Sequence, residues 1–369
     1  MEYLFWIVVS YLYYRVFQQL IGIFQTWNIF FQPEKKGKHR KSITILIPIY
    51  CEDKILRETI EFWKKSPIKP IFVLTKRERL AGCRGKMILE MLSDFEIIVS
   101  PNTIGYKATQ LNYALSKIDL EGYIAIFDVD SRPDFGVFEY VAYLSGDIYQ
   151  MPIRYIPNSS IFSLGSAIYQ TRFSLAYEIP AILNGKFTYL VGHGLFVKGE
   201  IFYNILFHEE TLTEDIVFGY ETCLNGYHSK PLPFFEYSSV PETFWKSIQQ
   251  GARWFIGSWT FVKYIDTSKL GLREYIAIFL RYLQLLDWFW GLFWIVAIFL
   301  FAPFYLKVAT AIALIVFGYI YYITIRLGEY PLSFATIFGI VFKTFTNFLV
   351  PLYSILQPFS KDSWISKKN

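Results

Sequence analysis

Apolar residues crowd into the two ends of this chain and leave a mixed middle. Residues 3–24, 283–304, 308–325 and 333–356 are mostly apolar, while residues 35–242 interleave apolar and polar positions as a water-soluble domain does. The first three stretches approach the ~20 residues that a membrane-spanning helix needs. A short turn around Pro303 joins the second to the third, so those two are expected to pack as an antiparallel hairpin. The fourth carries Lys343, Asn347 and Pro351, and can span, re-enter or lie in the interface. Lys35, Lys36, Lys38, His39, Arg40 and Lys41 follow the first stretch and place that end on the cytoplasmic side by the positive-inside rule. Lys361, Lys367 and Lys368 favour the same side for the C-terminus. An odd number of crossings follows, so three spans and one interfacial helix are expected. A cleaved signal peptide would also account for the first stretch, but a basic start and a small-residue cleavage site are missing. Arg15 and Asp287 fall inside the apolar stretches, where unpaired charge is costly, so they are expected to pair.

The middle reads as alternating strands and helices. Residues 43–50 form a continuous, β-branched run suited to a strand buried on both faces. Helical spacing follows over 55–65, then short strand patterns at 70–74, 95–99 and 123–127, with a helix at 108–117 before the last. This alternation predicts an α/β fold with a mainly parallel sheet and right-handed crossovers. Ligands in such sheets bind beyond the carboxyl ends of the strands. No internal repeat is evident.

Composition narrows the class. Of 369 residues, 53% are hydrophobic and 20% aromatic, above the roughly 45–50% apolar content of soluble domains. The middle, at ~200 residues, is ample for one packed core. A net charge of +5 is too modest to argue for nucleic acid. Cys51, Cys83 and Cys223 lie far apart with no pairing or metal spacing, as reduced thiols of a cytoplasmic domain would.

Several short motifs can carry chemistry. Asp128-Val129-Asp130 ends an apolar strand, and on an extended chain its two carboxylates point the same way and repel. Mg2+ or Mn2+ bridging to a nucleotide diphosphate would satisfy both, whereas the plainer reading is a solvated turn. Thr213-Glu214-Asp215 reads either as a helix start capped by Thr213 or as carboxylates placed to take a proton from a hydroxyl. Gln250, Arg253 and Trp254 share one helical face, offering a guanidinium fork for phosphate and a flat ring for a sugar. With Trp245 and Trp259 the same helix also reads as an aromatic belt on a membrane surface, and both readings can hold together. Lys107, just ahead of a helix, can contact phosphate or be a plain surface lysine. His193 lies between Gly192 and Gly194, which allow a ligand to approach closely, and it reads equally well as a loop histidine with no task.

Taken in order, these residues resemble the family 2 glycosyltransferases, in the membrane-integrated branch with a Q/R-x-x-R-W motif. That branch includes cellulose, chitin and hyaluronan synthases, and ceramide glucosyltransferase is similar. Residues 45–52 (I-L-I-P-I-Y-C-E) resemble its opening strand and turn, and 105–115 (G-Y-K-A-T-Q-L-N-Y-A-L) its G-K-A-x-A-L-N-x-A-L segment. Residues 127–134 (F-D-V-D-S-R-P-D) resemble its D-x-D block, and 192–202 (G-H-G-L-F-V-K-G-E-I-F) the segment before T-E-D. Residues 211–216 (T-L-T-E-D-I) and the stretch from V-P-E-T to Q-Q-G-A-R-W, 240–254, complete the set. Six motifs in one order are far more specific than any one of them.

The resemblance implies a GT-A fold, a nucleotide-sugar donor (usually UDP-linked) and inversion at the anomeric carbon. Carried over by position, it makes Asp128 and Asp130 the metal site for Mg2+ or Mn2+, with Asp128 also on the donor diphosphate. Lys107 supports the phosphates, Asp215 is the general base beside Glu214, and Tyr50 and Glu52 line the nucleotide pocket. Gln250, Arg253 and Trp254 clamp the diphosphate, with Trp254 and His193 towards the acceptor. Two departures stand out. The acid that usually follows the second strand and reads the nucleobase is missing, since residues 72–77 run F-V-L-T-K-R, and Cys51 replaces the usual Asn of the opening turn.

The expected organisation is an N-terminal transmembrane helix at 1–31, a cytoplasmic GT-A domain at 32–242, an interfacial helix region at 243–275, and C-terminal transmembrane helices with an interfacial segment at 276–369. The expected activity moves a sugar at the cytoplasmic face of the cell membrane to a lipid or a growing polysaccharide. Few helices for a self-contained channel favour a lipid acceptor or a channel built by a homo-oligomer. A non-catalytic, sugar-nucleotide-binding subunit of a polysaccharide synthase is the alternative, motivated by the missing acid.

Overall fold

The computed structural model describes residues 2–34, 36–50, 53–77, 83–102, 106–185 and 187–356. Lys35, Cys51, Glu52, Gly105, Lys361, Lys367 and Lys368 lie outside the described residues, so the expectations placed on them are not addressed below.

Among the described residues there are ten strands: β1 (Ile43–Pro48), β2 (Ile71–Thr75), β3 (Glu96–Ser100), β4 (Tyr123–Ile126), β5 (Arg132–Pro133), β6 (Ile148–Gln150), β7 (Ile153–Ile156), β8 (Leu195–Lys198), β9 (Ser229–Pro231) and β10 (Glu236–Ser239). Seven form one sheet in the order β3-β2-β1-β4-β8-β6-β9, and three form a second in the order β5-β10-β7. β1 pairs in parallel with β2 and β4, and β2 with β3, while β8 runs antiparallel to β4 and β6. The four strands expected from hydrophobic patterning are thus β1 to β4, each within a residue or two of its expected place.

The continuous apolar run of β1 has a direct cause. Ile45 and Ile47 enter a core with Trp63, Phe72, Phe127 and Phe196 on one face of the sheet. Leu46, between them, enters a second core with Val73, Leu111, Ile124 and Phe218 on the other face. A strand with a packed core on each side has no polar face to show.

The helices are α1 (Glu2–Phe31), α2 (Asp53–Trp63), α3 (Cys83–Met91), α4 (Lys107–Leu115), α5 (Gly136–Val141), α6 (Ile161–Phe173), α7 (Ile179–Leu183), α8 (Glu214–Leu224), α9 (Phe244–Thr260), α10 (Leu272–Phe301), α11 (Phe304–Leu327) and α12 (Phe334–Leu356), with a π-turn at Ser174–Glu178 joining α6 to α7. Three of them, α1, α11 and α12, are long and apolar enough to cross a membrane. In α10 the axis bends by 68° between Leu272–Trp288 and Gly291–Phe301, and the pair passes the same test only if taken as one broken span.

α12 covers the stretch at 333–356, for which spanning, re-entrant and interfacial placements were all open, and it meets this criterion by length and composition. Its polar residues turn inward: Lys343 donates to Ser247 Oγ at 2.6 Å across to α9, and Lys343 and Asn347 are both buried. The stretch at 283–304 is instead the bent element. Arg15 and Asp287 do meet, with Nε 3.2 Å from Oδ2, and Tyr11 donates to the same carboxylate oxygen at 3.1 Å.

Two close backbone approaches fasten the α/β part to the apolar helices. Gly165 of α6 lies against the backbone of Gly339 in α12, where no Cβ would fit. Gly22 of α1 lies against the Ala176 carbonyl and Pro180, so the π-turn and α7 ride on α1. Thr26 Oγ1 donates to the Leu175 carbonyl at 2.6 Å in the same seam.

Candidate active site

The site forms beyond the carboxyl ends of β1 and β4, where an open α/β sheet places its ligands. Its hub is Lys107, the first residue of α4. Its Nζ bonds the Asp128 carboxylate and donates to the Gly192 carbonyl at 2.6 Å. The Gly192 N–H in turn donates to Asp215 Oδ2 at 2.9 Å. One lysine and one glycine therefore join three motifs that lie far apart in sequence. A Cβ on Gly192 would stand 3.0 Å from Asp215 Oδ2 and 3.2 Å from Lys107 Nζ, so glycine is what lets the three close up. Charged groups of the protein lie close against both glycines that flank His193. Gly194 likewise has a φ of +61° and lies against Glu236 Oε2.

The Asp128-Val129-Asp130 segment is a turn and not an extended strand end. β4 stops at Ile126, and the Ser131 N–H donates to the Asp128 carbonyl at 3.0 Å. Ser131 Oγ accepts from the Asp128 N–H at 2.9 Å, while Thr59 Oγ1 and Arg132 Nη1 both donate to the Val129 carbonyl. These local bonds outcompete extended geometry, so the two carboxylates diverge. Asp128 faces Lys107, and Asp130 Oδ2 accepts from Ser238 Oγ and from the backbone and side chain of Ser239 on β10. The expectation that both carboxylates point one way is thereby corrected.

Among the described residues, no three of His, Cys, Asp and Glu converge to hold a metal alone. Asp128 Oδ2 and Asp130 Oδ1 take no hydrogen bond among those residues. That donor set suits a hard cation that binds one or two carboxylates and completes its shell with phosphate oxygens and water.

Charge sets the protonation states. Burial alone would lower Lys107, but Asp128, Glu214 and Asp215 outweigh it and hold the ammonium above its usual range. Burial would raise Asp128, and Lys107, His193 and Arg253 outweigh it, so it stays ionised. Burial pushes Glu214 up and Asp215 adds to the rise, against Lys107 and Arg253. Glu214 and Asp215 open α8, and the Asp215 carboxylate also accepts the Ile216 N–H at 2.9 Å. Thr213 precedes them as expected of a cap, yet its side chain makes no capping bond. It is packed instead against Gly257 of α9.

That contact brings the third motif in. α9 carries Gln250, Arg253 and Trp254, all half-buried. Arg253 acts electrostatically on both Asp128 and Glu214. Gly251, on the same helix, lies against Val350 of α12 and Trp288 of α10. α9 is thus wedged between the T-E-D turn and the apolar helices. Trp245 and Trp259, at its ends, are exposed.

Tyr50 stands apart from this charged set. It follows β1, is buried, and its hydroxyl accepts from Arg77 Nη1 at 3.2 Å. Arg77 lies just past β2, where the resemblance led to an acid.

Two buried acids beside the site were not evident from sequence. Glu236, on β10, is fully buried and bonds His193 Nδ1 at 2.8 Å. Glu178 ends the π-turn, accepts from Tyr189 at 3.1 Å, and stands within electrostatic reach of His193 and Asp215. Burial pushes its carboxyl up to about 7. A π-turn marks functional sites often enough to be a signal in a structure, but nothing in the local sequence announces one.

His193 gives a testable consequence. Burial would lower its pKa, yet Glu236 and then Asp128 raise it from 6.5 to about 9. A raised folded-state pKa contributes stability in full below the unfolded value near 6.5 and loses it as pH climbs through about 9. Melting of the wild type is therefore expected to fall between those pH values. In His193→Gln the fall should vanish and the whole curve should drop, since an unpaired buried Glu236 costs roughly 3–5 kcal/mol. Parallel curves for the two proteins would refute the charged pair.

A mainly parallel sheet with helices on both faces, a charge cluster at its carboxyl edge and apolar helices alongside fit a GT-A fold with candidate membrane helices. Residues 123–327 match Glycosyl transferase family group 2, and the chain belongs to that family. None of the curated proteins matches it. Among solved structures, the mannosyltransferase PcManGT from Pyrobaculum calidifontis, in complex with GDP-Man and Mn2+, aligns over 92% of this chain and 98% of its own, with TM-score 0.55 and 12% identity. S. aureus TarS 1-349 aligns over 86% of this chain and 92% of its own, with TM-score 0.43 and 14% identity. At these identities the first likeness speaks for the fold alone.

Proposed function

We propose that this chain is an inverting glycosyltransferase that moves a sugar from a nucleotide-sugar donor to a membrane-associated acceptor. The observation that supports it most is the Lys107 hub, which joins the Asp128 side of the cleft to the Asp215 side through Gly192. A leaving diphosphate needs its charge neutralised where it departs. Lys107 and Arg253 do so from the protein, and Asp128 and Asp130 would hold Mg2+ or Mn2+ against the phosphates. On the other side Asp215 takes the proton of the acceptor hydroxyl. The acceptor oxygen then bonds the anomeric carbon as the bond to the phosphate oxygen breaks, and the nucleoside diphosphate leaves. The two acidic motifs serve opposite faces of the transferred sugar, as in-line attack requires.

The acceptor side of this reading rests on α9, which lies between the T-E-D turn and the apolar helices. Trp254 and His193 line the acceptor approach, and Gln250 and Arg253 close over the diphosphate. Tyr50 lines the nucleotide, Glu52 is assigned there by its position in the sequence motif alone, and Leu74, Thr75 and Lys76 stand where an acid would read the base. A catalytic part at 32–242 on the cytoplasmic face, with membrane segments before and after it, accommodates a lipid acceptor without a channel.

A donor panel tests the reading. Purified full-length protein is expected to release nucleoside diphosphate from one or a few of the UDP- and GDP-linked sugars in Mn2+ or Mg2+, and to lose that release in EDTA. Nucleotide binding with no release from any donor would favour the non-catalytic subunit.

A further inference from the structure

A second polar cavity, lined by other residues than the charge cluster, lies between α1, the first half of α10 and the α7 end of the π-turn. Its volume is about 140 Å³, and Arg15, Arg273, Arg281, Tyr11, Tyr14 and Tyr189 contribute to its wall. No aspartate or glutamate is among its lining residues. Three guanidinium groups converging without a carboxylate in the wall are unusual, because buried cations need counter-charge.

Arg281 is the least compensated. It is 8% exposed. Nη1 and Nη2 donate to Gln284 Oε1 at 3.2 Å and Ser258 Oγ at 3.1 Å, both neutral. Its guanidinium lies 4.4 Å over the Tyr189 ring, and its buried Nε has no hydrogen-bond partner among the described residues. Behind the cavity wall Arg15 has Asp287 beside it and Arg281 has Glu178 within electrostatic reach, so two carboxylates serve three arginines. Arg273 stands exposed at the rim. Guanidinium forks of this kind match the oxygens of a phosphate.

The rim indicates where the phosphate comes from. Tyr14 and Phe17 on α1 and Ile276 and Leu280 on α10 are exposed apolar side chains on the two helices that frame the cavity. With those helices in a bilayer, chains attached to the phosphate would run along that surface. We propose that this cavity binds the phosphate of an anionic membrane lipid, with Arg281 and Arg15 inside and Arg273 at the mouth. The site is separate from the sugar-transfer reading and does not depend on it.

Native mass spectrometry of the full chain released from nanodiscs tests this. Phosphatidylglycerol is expected to be retained as a stoichiometric adduct, in preference to phosphatidylcholine. Arg281→Gln should weaken retention about tenfold or more, as loss of a charge-assisted bond worth ~1.4 kcal/mol does. Because Arg281 is buried and its loss can impair folding, Arg273→Gln at the exposed rim is the companion variant, and it should weaken retention with an unchanged melting temperature. Equal retention of both lipids, or of phosphatidylglycerol by wild type and Arg273→Gln alike, would overturn the proposal. Displacement of the lipid by equimolar inorganic phosphate would overturn its lipid part.

Discussion

Asp215→Asn is expected to lower turnover by about 10²–10⁴-fold, the usual worth of a positioned general base, with little change in donor affinity. The substitution is close to isosteric. Asparagine Oδ1 can still accept the Gly192 N–H that Asp215 Oδ2 accepts at 2.9 Å, so the fold around it should persist. What disappears is the capacity to take the proton from the acceptor. Glu214→Gln separates the two neighbouring acids. Burial and Asp215 hold the Glu214 carboxyl above its usual range, while Asp215 is the acid that the Gly192 N–H positions. A smaller loss is expected there, and Glu214→Gln should relax the site electrostatically without removing the base. Steady-state kinetics with the best donor distinguish the two. Equal losses would mean that the pair acts as a unit, and full activity in Asp215→Asn would remove the base from its assigned place.

Lys107→Met is the second large effect. The methionine keeps most of the side-chain volume and deletes the ammonium that bonds Asp128 and the Gly192 carbonyl. Two losses are expected together. Turnover should fall by about 10²–10³-fold, as when one donor to a developing negative charge is removed. Stability should fall by about 1–3 kcal/mol, because Asp128 and the Gly192 carbonyl lose a charged partner while partly buried. The double variant Lys107→Met with Asp128→Asn is the informative one. Neutralising Asp128 should restore much of the melting temperature and none of the turnover. A double variant that recovers activity would show that Lys107 matters to the fold and not to the diphosphate.

The parts of the fold that were legible in sequence are those with local causes. β1 could be read because a strand buried on both faces must be apolar at every position, and Ile45, Leu46 and Ile47 are. The order of the motifs was legible because each is a short local segment, and four of the six lie within the family match at residues 123–327. The geometry of Asp128 and Asp130 was not legible. Which partner each carboxylate takes depends on Lys107 and Ser238, which lie 21 and 108 residues from the groups they bond. Glu236 escaped because β10 is four residues long and its companions β5 and β7 have two and four. Nothing in Glu-Tyr-Ser-Ser marks a carboxylate that will be fully buried against His193. The membrane part shows the same division. The Arg15–Asp287 pair follows from the cost of unpaired charge in hydrocarbon, and the structure contains it. Which of the later apolar stretches forms a straight helix did not follow, because the inward turn of Lys343 towards Ser247 is a tertiary fact.

Transfer of labelled sugar from its active donor into the lipid extract is the most direct test of the account. Full-length protein in its membrane, given that donor and Mn2+ or Mg2+, is expected to move label into the organic phase in step with nucleoside diphosphate release, and Asp215→Asn should abolish both. Nucleotide release with the label recovered only as free sugar, or label transfer that survives in Asp215→Asn, would contradict it.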